Sequence, residues 1–283
     1  SVAFSPDGTI LASGNEDGSV ILWDVAAERP LGDPLAVHGE SAISVAFRPD
    51  GTMLASASLD GSAILWDVAT GQPLGDPLAG QGGWVTSVAF SPDGTLLATG
   101  NGDGSVTLWD VATRRPRGAP LAGHGDTVTG VAFSPDGTTL ASASGSGVAG
   151  RTGSAILWDV ATGQQLGAPL AGNGGTVHGV AFSPDGTMLA AGNGDGSVIL
   201  WDVATGQQLG GALTGTGRSI YGVAFSPDGK TLASSSLDGA IILWDMGVES
   251  WQARACARAN RNLTQEEWAL YFGDEVYRET CQE

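Results

Sequence analysis

The sequence has three histidines and two cysteines, the side chains that could act as metal ligands, general bases or nucleophiles. None of the histidines, His38, His124 and His178, has the closely spaced Cys, His or Asp companions that a metal ion requires. Cys256 and Cys281 are too few for a disulfide framework, so they could pair with each other or remain free thiols. The sequence contains neither a GxSxG nucleophile turn nor a phosphate-binding Walker loop. We therefore expect a protein that is not an enzyme, with no catalytic residues, no metal and no cofactor.

One glycine cluster has the spacing of a dinucleotide-binding motif. Gly145, Gly147 and Gly150 match GxGxxG, which binds a pyrophosphate where a strand leads into a helix. Here the glycines belong to an insertion at residues 145–152, GSGVAGRT, between the predicted strands LASAS and SAILWD. Because no helix is expected to follow, we interpret the insertion as a lengthened turn and reject the nucleotide site.

Asp-Gly pairs recur along the chain and could suggest calcium loops. A calcium loop brings several oxygen ligands together within about 12 residues. Asp93 and Asp103 are instead expected at opposite ends of one strand, and Asp-Gly is the composition that tight turns require. We therefore interpret these pairs as turns.

These candidate residues are positioned by a repeated element, of which residues 88–110, VAFSPDGTLLATGNGDGSVTLWD, are one copy. The element occurs six times, and its closing Trp-Asp pairs are separated by 43, 43, 49, 43 and 43 residues. A fixed period of this length indicates a repeat architecture rather than separate domains. The closing pairs are Trp23–Asp24, Trp66–Asp67, Trp109–Asp110, Trp158–Asp159, Trp201–Asp202 and Trp244–Asp245.

Each repeat predicts four short antiparallel strands. In the third repeat the strands are expected at residues 85–90, 95–100 and 105–110, with a weaker fourth strand around residues 117–122. The turns SPDG and NGDG between them have the residues of tight turns. One such sheet cannot bury both of its faces, so successive repeats must stack, and radial stacking gives a β-propeller.

The six VAF[SR]PDG segments, six LA[STA] strands and six LWD endings resemble the WD-repeat (WD40) family over residues 1–247. The resemblance implies an all-β fold, a β-propeller of four-stranded blades. It also implies inner strands that start near Ser1, Ile43, Thr86, Thr129, His178 and Tyr221. Most relatives have seven blades, so six repeats either close a ring or form part of a larger one. We favour the larger ring, because the sequence begins inside a strand.

The resemblance also implies a structural hydrogen-bonded tetrad of His, Ser or Thr, Asp and Trp. In the second repeat His38, Ser56, Asp60 and Trp66 match it completely. In the fourth repeat His124 is present, but Thr152 stands where the Asp should be. We expect a structural role for His38 rather than a catalytic one.

Binding residues of this family cluster on one face of the propeller, before and at the start of the inner strands and just before the tetrad Asp. Several residues at these positions are aromatic, apolar or charged here. The candidate binding face is Trp84, His178, Tyr221, Leu59, Leu237 and Arg151.

The last segment, residues 248–283, differs in composition from the repeats. A Ser cap and the spacing of alanines and Trp251 predict a helix at 251–260, and a capping box with Trp268 predicts a second at 265–272. The RNLTQEEW motif resembles the tail of bacterial WD-repeat proteins, in several of which the propeller follows a signalling NTPase or a protein kinase. We expect a helical extension that packs on the propeller.

The formal net charge of −18 disfavours nucleic acid and anionic membranes as partners, because both are bound through basic surfaces. No run approaches 18 apolar residues, so no transmembrane helix is expected, and we expect a cytoplasmic protein. The sequence thus predicts a non-catalytic scaffold that binds protein or peptide on one propeller face. The alternative is a ligand-sensing C-terminal domain of a bacterial signalling NTPase or kinase.

Overall fold

The computed structural model describes residues 1–35, 38–80, 83–145, 153–173, 175–215 and 217–247. Within these residues the chain forms 24 β-strands in six antiparallel sheets, one for each repeat. The predicted all-β propeller of six repeats is therefore confirmed. The predicted helical extension at 248–283 and residues 146–152 of the insertion lie outside the described residues.

The first three blades follow the order of the chain. Blade 1 contains β1 (Val2–Phe4), β2 (Ile10–Gly14), β3 (Val20–Asp24) and β4 (Arg29–Pro30). Blade 2 contains β5 (Ala42–Phe47), β6 (Met53–Ser58), β7 (Ser62–Asp67) and β8 (Leu78–Ala79). Blade 3 contains β9 (Val85–Phe90), β10 (Leu96–Asn101), β11 (Ser105–Asp110), β12 (Arg115–Pro116) and β13 (Leu121–Ala122).

The last three blades repeat this arrangement, except that blade 6 has three strands within the described residues. Blade 4 contains β14 (Val128–Phe133), β15 (Thr139–Ser144), β16 (Ser154–Asp159) and β17 (Gln165–Ala171). Blade 5 contains β18 (Val177–Phe182), β19 (Met188–Asn193), β20 (Ser197–Asp202) and β21 (Leu213–Thr214). Blade 6 contains β22 (Ile220–Phe225), β23 (Thr231–Ser236) and β24 (Ile241–Asp245).

The fourth strand of blade 3 differs from the prediction of one strand around residues 117–122. It is split into β12 and β13, which pair with opposite ends of β11. Gly118 between them has a positive φ of 80°, which bends the chain, and Pro120 has no N–H to donate to a neighbouring strand. These two residues interrupt the pairing that a continuous strand would make.

Apolar cores lie between successive blades rather than within them. Along β11 the side chains alternate, so that Val106 and Leu108 join the core shared with blade 4 while Trp109 joins the core shared with blade 2. Five such clusters fill the five junctions from blade 1 to blade 6. This stacking buries both faces of each internal blade and holds the loops at the ends of the strands in place.

Candidate functional site

Two aromatic residues from neighbouring blades stack on each other at the predicted binding face. His178 and Tyr221 are the second residues of the inner strands β18 and β22. Their ring centroids are 4.5 Å apart, and the ring planes are tilted by 33°. The side chain of Tyr221 remains 52% exposed. The pair therefore presents a stacked aromatic surface to solvent where two inner strands begin.

The close approach of the two inner strands depends on Gly179. A Cβ atom at this position would lie 2.8 Å from the backbone oxygen of Tyr221, closer than real side chains approach. The absence of a side chain at Gly179 lets β22 lie directly against β18. The sequence around His178 thus fixes the backbone spacing that the aromatic stack needs.

Burial lowers the pKa of His178 below its ordinary value. Neutral imidazole is therefore the form at pH 7, since even the ordinary pKa is about 6.5. The His178 ring therefore offers a neutral ring face and polar edges rather than a cation.

Blades 3 and 4 use the same strand position for a structural hydrogen bond. The hydroxyl of Thr86 donates to the backbone oxygen of Val128, and the hydroxyl of Thr129 donates to that of Val177. Each bond links an inner strand to the next blade. His178 and Tyr221 replace this hydroxyl with an aromatic ring, so the position changes from a link between blades to an exposed surface.

Trp84 is a second aromatic residue at a position where other blades have a hydroxyl that makes a structural hydrogen bond. Immediately before the first residue of the inner strand, Ser41, Thr127 and Ser219 donate hydroxyl hydrogen bonds of 2.8 to 3.0 Å to a backbone oxygen in the turn of the preceding blade. Trp84 occupies the same position in blade 3 but has no hydroxyl, and its side chain is 55% exposed. Its backbone still belongs to the scaffold, because its carbonyl accepts a hydrogen bond from Gly102 N at 2.8 Å.

Leu59 and Leu237 lie in the turns between the second and third strands of blades 2 and 6. Their backbone N–H groups donate to Ser41 O and Ser219 O, so both turns are tied to the loops of the same face. Leu59 is half-buried and Leu237 is 62% exposed. Arg151 lies outside the described residues. Among the predicted binding residues in the described part of the chain, the ring contact joins only His178 and Tyr221.

The four residues of the predicted tetrad come together in blade 2. His38 Nε2 is 2.7 Å from Ser56 Oγ, which also accepts a hydrogen bond of 2.8 Å from Trp66 Nε1. His38 Nδ1 lies 3.4 Å from Asp60 Oδ2. Nδ1 also lies 3.2 Å from Ser62 Oγ, which donates to Asp60 Oδ1 at 2.7 Å. Hydrogen bonds through the Ser56 and Ser62 hydroxyls therefore connect Trp66, His38 and Asp60 across the blade. The tetrad binds strands β6 and β7 to the loop before β5.

Burial lowers the pKa of His38, and the neighbouring Asp60 carboxylate opposes this shift only in part. Burial raises the pKa of Asp60, but hydrogen bonds from Ser62 and Gly39 and the proximity of His38 bring the pKa below its usual value overall. A neutral histidine beside an ionised carboxylate, with its ring enclosed in the blade, suits a structural network.

His124 makes a related network that the sequence did not reveal. Its Nε2 is 2.7 Å from Ser142 Oγ, and its Nδ1 is 2.7 Å from Ser144 Oγ. Ser144 thus occupies the place of the missing tetrad Asp, and Trp158 Nε1 donates to Ser142. Ser142 and Ser144 lie on the same face because they are two apart in the strand LASAS. The same letters in blade 2 do not give this contact, since Ser58 Oγ donates to Glu40 O instead. Burial is the main cause that lowers the pKa of His124 to about 4.

The aspartates of the Asp-Gly pairs act as acceptors within their own turns. Asp93 Oδ1 accepts hydrogen bonds from Ser91 Oγ at 2.6 Å and from Thr95 N at 3.0 Å. The Ser91 hydrogen bond is the main cause of a lowered pKa for Asp93. Among the described residues, no three His, Cys, Asp or Glu side chains form a group that could hold a metal ion. The same residues include no helix long and apolar enough to span a membrane.

Six repeated antiparallel sheets, stacked face to face with a Trp on each third strand, define the protein as a β-propeller. The family model described as WD domain, G-beta repeat (WD40), matches residues 1–24, 32–67, 71–110, 117–159, 164–202 and 207–245. The chain belongs to the WD40 family. No curated protein gives a significant match. WD40 propellers are generally non-catalytic scaffolds that bind proteins or peptides.

Proposed function

We propose that this protein is a scaffold that binds a protein or peptide segment on the face bearing Trp84, His178 and Tyr221. The observation that carries the proposal is the replacement of scaffold hydroxyls by aromatic rings. Trp84 and the His178–Tyr221 pair occupy positions where other blades place Ser or Thr hydroxyls that link neighbouring blades.

Exposed aromatic side chains at these positions favour recognition. Trp and Tyr are the residues that most often dominate the binding energy of protein interfaces, because a large rigid surface is buried at a small entropic cost. Leu59 and Leu237 extend the same face with apolar surface. The acidic net charge of −18 favours a partner that is not a polyanion. The proposed site of action is the cytoplasm.

A peptide selected from a random display library against the immobilised protein tests this proposal. Calorimetry would compare its binding to the wild type, Trp84→Ala, Tyr221→Ala and Val25→Ala. Val25 is a matched control, because it is an exposed apolar residue in the turn after β3, outside the candidate binding face. We expect each aromatic variant to lose at least about tenfold in affinity, or about 1.4 kcal/mol, while Val25→Ala binds like the wild type.

Circular dichroism melts would accompany the binding measurements. Tyr221→Ala should remain folded, since its ring is half exposed. If peptides bind well but neither aromatic substitution weakens them, the assignment of the binding face is wrong. The same holds if Tyr221→Ala unfolds the protein while the affinity of the folded fraction stays unchanged.

The C-terminal sequence supports a second candidate function. The RNLTQEEW motif resembles tails of bacterial WD-repeat proteins, and some of these carry a signalling NTPase or kinase domain. The propeller would then be the ligand-sensing part of a larger signalling protein. The sequence of the complete gene distinguishes the two: a catalytic domain in the same reading frame favours the sensor.

A further inference from the structure

Two positions on the third strand of a blade are covered at every junction between blades. Their side chains alternate along the strand with the Trp that closes each repeat, and they face the following blade. In blades 1 to 5 all of them are between 0% and 5% exposed. They are Val20 and Leu22, Ala63 and Leu65, Val106 and Leu108, Ala155 and Leu157, and Val198 and Leu200.

In blade 6 the same two positions are exposed. Ile241 and Leu243 on β24 are 72% and 69% exposed among the described residues. Their side chains are at least as large as those buried at the equivalent positions. This face therefore has the apolar side chains of a junction between blades, but no described blade packs against it. We name the surface formed by Ile241 and Leu243 the blade 6 end face. An apolar strand face of this kind is a site where another segment is expected to pack.

We propose that residues 248–283 of the same chain cover the blade 6 end face. The segment starts directly after Met246 and Gly247, which follow β24, so it is tethered next to the surface it would cover. Its 36 residues are enough to cross a sheet of three strands spaced about 5 Å apart. It also contains the large apolar side chains that such a surface needs, Trp251, Leu263, Trp268, Leu270 and Phe272.

The charge of the segment supports the same assignment. Between Trp251 and Leu263 it carries Arg254, Arg258 and Arg261 and no acidic residue. The blades are strongly acidic, with Asp in nearly every turn. The first part of the segment is therefore attracted to the propeller by charge as well as by apolar contact.

Within the described residues, blade 1 carries a second exposed apolar strand face. Val2 and Phe4 on β1 are 67% and 62% exposed, and their equivalents in blades 2 and 3 pack against the preceding blade. A second copy of the protein could place this surface on the blade 6 end face. The tethered segment has the advantage, because a short linker gives it an effective concentration of the order of mM.

A labelling experiment on the full chain tests this proposal. Cys256→Ser and Cys281→Ser remove the native thiols, and a single reporter is introduced as Leu243→Cys or Ile241→Cys. Phe4→Cys is the matched control, since it is an equally exposed apolar residue on the other end of the blade stack. A specific protease site between Gly247 and Val248 allows the segment to be cut from the folded protein. Maleimide labelling rates are measured before and after cleavage, and folding is checked by circular dichroism.

Before cleavage we expect the reporters on β24 to react at least about tenfold more slowly than Phe4→Cys, because covered thiols react slowly. After cleavage and dilution they should react as fast as Phe4→Cys, whose own rate should not change. Fast labelling of both β24 reporters in the intact chain overturns the proposal. Protection that survives cleavage also overturns it. If the β24 reporters are protected in the intact protein only at high protein concentration and lose this protection on dilution, a second copy covers the face instead.

Discussion

Replacing Trp66 by alanine removes the most completely enclosed aromatic side chain of the described propeller. Trp66 is 0% exposed and packs in the core between blades 1 and 2. Its indole N–H also donates to Ser56, which connects the core to the His38 network. The substitution therefore removes apolar contact and one member of the tetrad together.

The expected cost follows from the burial. A tryptophan side chain buries about 200 Å², which at about 25 cal/mol per Å² corresponds to about 5 kcal/mol, and alanine retains a small part of this. Loss of the indole hydrogen bond adds about 1 kcal/mol, while partial collapse of the surroundings reduces the total. We expect Trp66→Ala to lower the free energy of unfolding by about 3–5 kcal/mol.

Urea denaturation followed by far-ultraviolet circular dichroism measures this change, since nine tryptophans make fluorescence hard to assign. Trp84→Ala is the matched control, because Trp84 is 55% exposed and should cost less than about 1 kcal/mol. Trp66→Phe retains most of the packing and should cost about 1–2 kcal/mol through the lost hydrogen bond. A cost below about 1 kcal/mol for Trp66→Ala would refute the reasoning about the tetrad and its core.

Two further predictions concern the close strand contact and the buried histidine. Gly179→Ala should destabilise the fold by about 1–3 kcal/mol and displace the Tyr221 ring resonances in an NMR spectrum, because the new Cβ meets the backbone of Tyr221. Gly211→Ala is the control, because a Cβ at that position has open space. Equal free energies of unfolding for the two variants would contradict the prediction. His124 is protonated in the unfolded chain below about pH 6.5, whereas its folded pKa is about 4. The depressed pKa means that the unfolded state binds the extra proton, so stability is lost as the pH falls from about 6.5 towards 4, by up to about 3 kcal/mol. Urea melts at pH 7 and pH 4.5 should show a smaller loss for His124→Asn than for the wild type, and an identical loss would show that His124 is not responsible.

The repeated residues allowed the strands and turns to be predicted well. The third strand of blade 3 lies at Ser105–Asp110 as expected, because alternating apolar residues and an adjacent Asp-Gly turn act locally. The outer strands were harder to predict. They are short and exposed, so a single Gly118 or Pro120 decides whether pairing continues.

The candidate site was only partly visible in the sequence. Position within the repeat indicated Trp84, His178 and Tyr221, but it could not show that the two rings of His178 and Tyr221 meet. That contact depends on the distance between two strands 43 residues apart, which Gly179 controls. Similarly, the pairing of His124 with Ser144 needed the register of β14 and β15 and the path of the preceding loop.

The sequence by itself determined the repeat, its strands, its turns and the family, because these follow from the residue types within a few positions of one another. Only the tertiary structure decided in which repeats a given position is buried in the scaffold and in which it is exposed. Leu65 and Leu243 occupy the same place in their repeats, yet among the described residues one is 4% and the other 69% exposed. The difference arises from the neighbouring blade, since burial depends on what packs against a side chain and not on the side chain alone.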